Sequence, residues 1–362
     1  MKKQQKIFFD FLRFCIGSAK EIPVSLKDAD WMELYAIAQK QCLVGVLFDG
    51  IKKLPAEHIG MKKELLLQWM AESQMLEKAN VRLNDAAIQV SEWFRKKGFR
   101  SCILKGQGNA LMYPNPYSRT PGDIDIWVEG GDKRVISFVR SISPHSKACY
   151  HHIEFPSYKG IEVEVHYRPS FLLCFWHNRK LQKYYERVQE EQFSHRVMLG
   201  EQGEVAIPTA EFNVIFQLTH IFTHLMNEGI GLRQLLDYYY VISMLSVNWE
   251  MLTSLQKELK KLGLWEFAGA IMYIMQKVFG MPASRLIVPP YEKYGKFVLN
   301  EVLEAGNFGR HDKRNCFGRS KLGHNLQRVY RDIRLVKYFP AEALSEPIFR
   351  VWHFFWRMTN RK

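Results

Sequence analysis

Two short segments of this chain carry carboxylates at alternate positions, the spacing that brings side chains to one face of a β-strand. Asp123 and Asp125 lie in DIDIWV, and Glu162 and Glu164 lie in IEVEVHY. Neighbouring carboxylates repel each other unless a cation lies between them, and Mg²⁺ is commonly held by a few carboxylates together with phosphate oxygens. If Glu164 lies beside the Asp pair, three carboxylates meet at one site. That number suits two-metal phosphoryl-transfer chemistry.

A phosphate-binding loop is predicted upstream of the acidic pair. Lys105 and Gly106 end an apolar strand and open a helix, where free backbone N–H groups can hold a phosphate. Arg119 lies just before the Asp pair and can bind a phosphate through two hydrogen bonds. A lone Asp-x-Asp is more often a solvated strand face, but the loop and the second acidic strand together favour phosphoryl transfer.

Two pairs of polar residues lie further along the chain at helical spacing. His220 and His224 share a helix face at a spacing found in zinc sites, but no third ligand is evident. We therefore expect a polar cluster lining the cleft between sheet and helices. Arg233 and Asp237, also four residues apart, are predicted to pair with each other.

The adjacent histidines and the cysteines are not expected to form a metal site. His151 and His152 follow each other in a predicted strand, so their side chains should point to opposite faces. The six cysteines are scattered and form no Cys-x-x-Cys pair, which is typical of buried thiols in a reducing cytoplasm. They are Cys15, Cys42, Cys102, Cys149, Cys174 and Cys316.

The spacing of apolar residues divides the chain into four regions. Residues 1–98 have the three- and four-residue spacing of helices. Residues 99–208 change to short alternating segments, which predict a small mixed sheet of four or five strands with a hairpin turning near 157–160. Helical spacing returns over 209–309, and 310–362 form a basic, aromatic tail. The predicted fold class is α+β: a small mixed β-sheet core flanked by N-terminal and C-terminal helical regions.

Composition and hydropathy exclude several classes of protein. Of the 362 residues, 47% are hydrophobic and 24% are charged, the balance of a globular chain and not of a disordered one. No run of 18 apolar residues occurs, which argues against a spanning helix. Asp10 and Arg13 interrupt the apolar stretch near the N-terminus, so this segment predicts an amphipathic helix and not an export signal. We therefore expect a cytoplasmic protein.

Positive charge is concentrated in the tail, residues 310–362. The whole chain has 51 Lys and Arg against 37 Asp and Glu, a net charge of +14, and the tail alone has 13 against 4, or +9. Aromatic residues lie among these basic ones, a pattern found in nucleic-acid-binding segments and in helices on anionic membranes. The alternative is a terminal helix that packs its aromatic residues on the body while its basic residues stay in water. The charge favours an acidic partner, either nucleic acid or the inner face of the membrane, where the protein would be peripheral.

These motifs resemble those of the DNA-polymerase-beta-like nucleotidyltransferase superfamily and, within it, an uncharacterised bacterial nucleotidyltransferase family. The similarity lies in LKGQGNALMYPNPYSRTPGDIDIWV, in the later VEVHYRP, and in QLTHIFTHLMNEGIGLRQLLDYYYVI. In the superfamily the loop glycine is usually followed by Ser or Gly, whereas Gly106 is followed here by Gln107. The distance from Gly106 to Asp123 is also longer than the usual spacing.

The resemblance implies an enzyme that transfers a nucleoside monophosphate from an NTP such as ATP to the hydroxyl of an unidentified acceptor, using two Mg²⁺ ions. The implied catalytic and metal-binding residues are Asp123, Asp125 and Glu164, and the implied nucleotide-binding residues are Lys105, Gly106, Gln107 and Arg119. Two alternatives stay open. One is a glycosyltransferase that holds a nucleotide-sugar through Asp-x-Asp and Mg²⁺, and the other is a catalytically silent scaffold that binds a polyanion or a partner protein.

Overall fold

Helical segments precede and follow a small sheet along the chain. In this computed structural model, the structure describes residues 2–201, 203–246, 248–314, 317 and 321–360. The helices are α1 Lys3–Ile16, α2 Trp31–Gln41, α3 Val44–Ile51, α4 Lys63–Lys96, α5 Gln107–Ala110, α6 Gly131–Ile142, α7 Phe175–Ser194, α8 Ala210–Asn227, α9 Leu232–Met244, α10 Trp249–Lys261, α11 Trp265–Lys277, α12 Glu292–Ala305, α13 Lys321–Leu335 and α14 Pro340–Thr359. The strands are β1 Ser101–Ile103, β2 Ile124–Val128, β3 His152–Tyr158, β4 Ile161–His166, β5 Arg196–Met198 and β6 Glu204–Ala206.

Four strands form the central mixed sheet, in the order β1-β2-β4-β3. β1 runs antiparallel to β2, β2 runs parallel to β4, and β3 pairs with β4 as an antiparallel hairpin. The hairpin turns at Lys159 and Gly160, which both have positive φ, as a tight two-residue turn requires. β5 and β6 form a separate two-stranded ribbon. The predicted α+β class, with a small mixed sheet and helical flanks, is confirmed.

One face of the central sheet is apolar and packs on α4 and α6. Ile124, Ile126 and Val128 on β2 are buried with Val163 and Val165 on β4, in one cluster with apolar side chains of both helices. Because side chains alternate along a strand, the acidic positions of β2 and β4 lie on the opposite face. Packing of the apolar face thus determines where the carboxylates point.

The tail packs on the helical body. Leu335, Phe339 and Ala343 are buried in the larger hydrophobic core, and the Phe339 ring meets Phe222 and Phe267 edge-on, with centroids 5.1 and 5.6 Å away. Such packing of aromatic rings stabilises the contact beyond the area it buries. The described part of the tail is therefore folded against α8 and α11. None of the described helices combines the length and the apolar character needed to cross a bilayer.

Candidate active site

The three carboxylates singled out from the sequence lie together on β2 and β4. The parallel register places Asp125 directly opposite Glu164, and Asp123 immediately precedes β2. Oxygens of the three side chains all lie within 4.8 Å of one another. Glu162 is exposed and belongs to no such group within the described residues. The structure thus brings together Asp123, Asp125 and Glu164.

Lys105 lies at the centre of this carboxylate cluster. It follows β1, and the backbone N–H of Leu104 donates to the carbonyl of Asp125 at 3.0 Å, which fixes Lys105 beside β2. Its Nζ lies 2.9 Å from Oδ1 of Asp125 and 3.2 Å from Nε2 of His220. Burial disfavours the ammonium charge, but the nearby carboxylates, Asp125 foremost, raise the pKa of Lys105. The antiparallel β1–β2 pairing therefore supplies the cation of the site.

The carboxylates of the cluster have opposite pKa shifts. The charge of Asp125, together with burial, raises the pKa of Asp123 to about 6. Burial opposes ionisation of Asp125, but Lys105 and His166 outweigh it and lower its pKa. His166 Nε2 lies 2.9 Å from Asp125 Oδ1 and 3.5 Å from Glu164 Oε2. Although burial lowers it, these two contacts raise the pKa of His166 to about 9.

The cluster contains more negative than positive charge. Asp123, Asp125 and Glu164 carry three negative charges when ionised, and Lys105 with protonated His166 supplies two positive ones. The raised pKa of Asp123 is the direct sign of this imbalance, because a like charge disfavours a second carboxylate. An added cation would relieve the repulsion.

His151 and His152 do not point apart, so the prediction made from strand alternation was wrong. His151 Nε2 lies 3.1 Å from His152 Nδ1, and His151 Nδ1 lies 3.4 Å from Cys149 Sγ. The reason is local: β3 begins at His152, and His151 lies in a bend before it, where alternation does not apply. His152 Nδ1 also lies 3.3 Å from Glu164 Oε2, so this histidine contacts the carboxylate cluster.

The predicted nucleotide-binding loop differs from expectation in one side chain. Gly106 has a φ of +52°, and a Cβ added there would lie 3.6 Å from the Asp123 carbonyl oxygen, so the loop passes close to the cluster. Gln107 begins the short helix α5, but its side chain is buried and donates to Asn84 on α4. The structure does not bring the Gln107 side chain to the carboxylates.

Arg119 is held away from the carboxylate cluster by a buried ion pair. Its Nε and Nη2 donate to Oδ1 and Oδ2 of Asp237, each at 2.8 Å, and the Tyr113 hydroxyl donates to the same carboxylate at 2.7 Å. The expected Arg233–Asp237 pair is therefore replaced, and Arg233 Nη1 donates instead to the Thr120 carbonyl at 3.1 Å. The two guanidinium nitrogens expected to grip a phosphate are bound to α9.

This ion pair anchors the loop that leads into β2. Asn80 on α4 donates through Nδ2 to the carbonyls of Tyr117 and Arg119, both at 2.8 Å. The same loop is thus tied to α9 through a side chain and to α4 through its backbone. The partner of Arg119 was not predicted from the sequence, because Asp237 lies 118 residues away in the chain.

His220 and His224 form part of a polar cluster near the carboxylates. Their rings on α8 are 4.3 Å apart, and His220 contacts Lys105. His224 Nδ1 lies 3.6 Å from Glu228, one turn along the helix. Within the described residues, neither histidine belongs to a group of three or more side chains able to hold a metal. The expected polar cluster is present, and it borders a cavity.

A cavity of about 360 Å³ lies between this polar cluster and α14. His151, Phe171 and His220 line one side, and Phe349 and His353 line the α14 side. The tail is fixed there, because the Phe349 ring stacks on Phe171 with centroids 5.2 Å apart. The sequence analysis did not predict that the tail lines this cavity, because no local pattern pairs residue 349 with residue 171.

Comparison with known proteins supports the resemblance seen in the motifs. The model of an uncharacterised nucleotidyltransferase family matches residues 27–280. The chain belongs to this family. The matched segment includes β1 to β4 and all three carboxylates and ends before the tail.

Other comparisons add little to the family match. No curated protein matches the chain. Among solved structures, the chain is similar to an antigenic nucleotidyltransferase-like protein from Paracoccidioides brasiliensis. The two are 14% identical over 61% of this chain and 97% of the other, with a TM-score of 0.32. A TM-score this low carries no argument about function.

Proposed function

We propose that this protein transfers a nucleoside monophosphate from an NTP to an acceptor hydroxyl, releasing pyrophosphate. One observation carries the proposal: Asp123, Asp125 and Glu164 present oxygens within 4.8 Å of one another on one face of the sheet. Membership of a nucleotidyltransferase family supports the same class of reaction. The acceptor oxygen would form a bond to the α-phosphorus as the bond to the pyrophosphate oxygen breaks. Glu164 would help remove the hydroxyl proton.

The donor set fits Mg²⁺, which prefers oxygen ligands. Asp123 and Asp125 would hold both of two ions, and Glu164 would complete the site of one. The surplus of negative charge, expressed in the raised pKa of Asp123, favours a dication at this place. When bound, Mg²⁺ would neutralise phosphate charge and lower the pKa of the acceptor hydroxyl.

The loop after β1 would bind the triphosphate. The Lys105 ammonium lies 2.9 Å from Asp125 and would neutralise charge on the phosphates. Gly106 has no side chain, so its backbone offers a close approach beside Asp123.

Two histidines would position the carboxylates without touching substrate. His166 is 2.9 Å from Asp125, and His152 is 3.3 Å from Glu164. Each contact fixes one carboxylate rotamer, so that the ligand oxygens are preorganised. These histidines are positioning residues in our proposal.

The cavity beside the cluster is the proposed acceptor pocket. His220 both lines this cavity and contacts Lys105, so an acceptor bound there would lie next to the nucleotide site. Thr223 and Asn227 on α8 offer hydrogen-bonding groups, and Phe171 and Phe349 offer apolar walls. Pockets of this mixed character bind small molecules with defined orientation.

The test measures where a label on each phosphate of the nucleotide is found after the reaction. Each of the four NTPs, labelled on the α-phosphate or on the γ-phosphate, is incubated with the full chain, Mg²⁺ and a cell extract. We expect label from the α-position in an acceptor and label from the γ-position in pyrophosphate. A kinase would instead place the γ-label in the acceptor and leave the α-label in a nucleoside diphosphate. Transfer of the sugar from a labelled nucleotide-sugar, with no α-label incorporated, would instead support a glycosyltransferase.

A binding measurement distinguishes a silent scaffold from an enzyme whose acceptor is absent from the assay. Mg²⁺ plus an NTP should raise the Tm of the wild-type chain, because a ligand that binds only the folded state stabilises it. The Asp123→Asn/Asp125→Asn variant should lose this shift while keeping its own fold. Absence of both α-label transfer and the Mg²⁺-dependent Tm shift would contradict the proposal.

A further inference from the structure

The two tail helices each expose several apolar side chains to solvent. On α14 the exposed positions follow the three- and four-residue spacing of one helix face. The exposed apolar residues are Leu326, Val329, Tyr330 and Ile333 on α13, and Leu344, Ile348, Val351, Trp352, Phe354, Phe355 and Met358 on α14. We call these residues the tail face. Ile348 is 73% exposed. Water-soluble proteins rarely expose this many apolar side chains at neighbouring positions.

The charges around the tail face are of one sign. All four acidic residues of 310–362 are buried: Asp312, Asp332, Glu342 and Glu346. They are held inward by contacts such as those of Glu346 with Arg328 and Arg350, at 3.5 and 3.3 Å. The exposed ionic groups of the described tail are basic: they include Arg310, Lys313 and Lys337, and also Arg328 and Arg357, which line the cavity on the inner side of the two helices. The tail therefore presents solvent with apolar and cationic groups together.

We propose that the tail face binds the surface of a bilayer that contains anionic lipids. Its aliphatic and aromatic side chains would enter the boundary between headgroups and acyl chains, and the basic residues would pair with lipid phosphates. The proposal concerns where the protein is held, and it stands independently of the reaction proposed above.

The composition of the tail face favours lipid over the other acidic partner, nucleic acid. Non-specific binding of single-stranded nucleic acid uses planar side chains on which bases stack. The aliphatic members of the tail face, such as Leu344, Ile348 and Met358, offer no such platform but suit an acyl environment, and the aromatic members Phe354 and Phe355 can insert at the same boundary. A second copy of the chain is also a poor occupant, because two faces rich in the same positive charge repel each other.

The inner side of α14 is fixed, so docking needs no unfolding of the tail. Buried Glu342 accepts hydrogen bonds from the backbone N–H groups of Leu173 and Cys174, and His353 accepts one from Tyr150 at 3.1 Å. α14 thus joins the lipid-binding face to the wall of the cavity beside the carboxylates. The bound protein would hold that cavity close to the membrane surface.

Vesicle sedimentation tests the proposal with the full chain. We expect binding to vesicles of phosphatidylcholine with phosphatidylserine and at least tenfold weaker binding to phosphatidylcholine alone. Raising the salt concentration from low to physiological and above should weaken the binding steadily, since exposed charges are screened. Equal binding to both vesicles, or none at low salt, would overturn the proposal.

Variants of exposed residues locate the surface. Ile348→Ser/Phe355→Ser should lower vesicle affinity at least tenfold without changing Tm, because both side chains are exposed. Leu67→Ser, at a 48% exposed leucine on α4, is the matched control and should bind as wild type. Lys313→Glu/Lys337→Glu, at two exposed lysines that do not line the cavity, should weaken binding and flatten its salt dependence.

Two further readouts assign the face to another occupant if the proposal is wrong. Tight binding of single-stranded RNA or DNA that survives Ile348→Ser/Phe355→Ser, without vesicle binding, would identify nucleic acid as the partner. A dimer in sedimentation analysis that the same variant dissociates, again without vesicle binding, would identify a second copy. Either result would overturn the lipid assignment. The outcome does not depend on NTP, so it is distinguishable from failure of the proposed reaction.

Discussion

Two buried ion pairs, Arg119–Asp237 and Lys105–Asp125, have opposite characters. In Arg119–Asp237 each carboxylate oxygen receives its own guanidinium nitrogen at 2.8 Å, so charge and hydrogen bonds are matched. In Lys105–Asp125 one oxygen is shared by the ammonium and by His166, both at 2.9 Å, and further carboxylates lie alongside. The first pair is complete in itself and serves the fold. The second belongs to a cluster with a surplus of negative charge, and that surplus favours the binding of a cation.

The largest expected effect is on transfer activity. Asp125→Asn keeps the size of the side chain but removes the charge that Lys105 and His166 surround. We expect the rate of nucleotide transfer to fall by about 10³-fold or more, as for a group essential to the transition state. The fold should persist, and circular dichroism with a melting curve checks this. Normal transfer by the folded variant would mean that the carboxylate cluster is not the active site.

The next effect is on stability and concerns the other pair. Arg119→Met leaves Asp237 buried without its partner, which should lower the free energy of unfolding by about 3–5 kcal/mol. Urea denaturation measures the loss. The double variant Arg119→Met/Asp237→Leu should recover most of it, because removing both charges leaves no buried charge unpaired. If Arg119→Met were as stable as wild type but lost NTP binding, Arg119 would be a phosphate ligand after all.

These pairs also show which features could be predicted from the sequence. Alternation with a period of two selected Asp123, Asp125 and the acidic face of β4, because strand geometry determines side-chain direction locally, and the family resemblance selected Glu164 over Glu162 on that face. Helical spacing suggested Arg233 as the partner of Asp237, but the real partner comes from a loop 118 residues away. Local periodicity cannot choose between partners on different elements.

The fold shows the same division between local and distant features. The helical flanks, the strands β1 to β4 and the hairpin turn followed from periodicity. The strand order, with β2 parallel to β4, and the separate β5–β6 ribbon depend on tertiary packing. The placement of α14 against the cavity likewise had no local signal, since its contacts join residues far apart in the chain.

A smaller effect is expected in the pH dependence of stability without metal. The pKa of Asp123 is about 6 in the fold, above its usual value, so the folded state binds this proton more tightly than the unfolded one. Its contribution is therefore favourable at low pH and is lost as the pH rises towards 6. Asp123→Asn should remove this loss and raise Tm at neutral pH in the presence of a chelator.

Asp237 supplies the opposite control for this pH effect. Burial opposes the ionisation of Asp237, but the charge of Arg119 and its hydrogen bonds outweigh burial and lower the pKa of Asp237. The ionised Asp237 therefore stabilises the fold above the usual pKa of Asp. This stabilisation is lost as the pH falls through the pKa of the folded state. Asp237→Asn should thus lower Tm at neutral pH. Melting curves across this range, with chelator and with Mg²⁺, compare the two variants. A decrease in Tm for both would show that Asp123 is not under like-charge repulsion.

The smallest effect is expected at Glu162, and it defines the edge of the site. Glu162 and Glu164 are both acidic positions of β4, so alternation alone does not choose between them. The structure distinguishes them, because Glu164 lies opposite Asp125 and is contacted by His152 and His166, whereas Glu162 is exposed. Glu162→Gln should therefore leave transfer within about twofold of wild type, as for a surface substitution. Glu164→Gln should reduce transfer nearly as far as Asp125→Asn. The reverse order of effects would assign the third ligand to Glu162 and place the metals nearer the exposed start of β4.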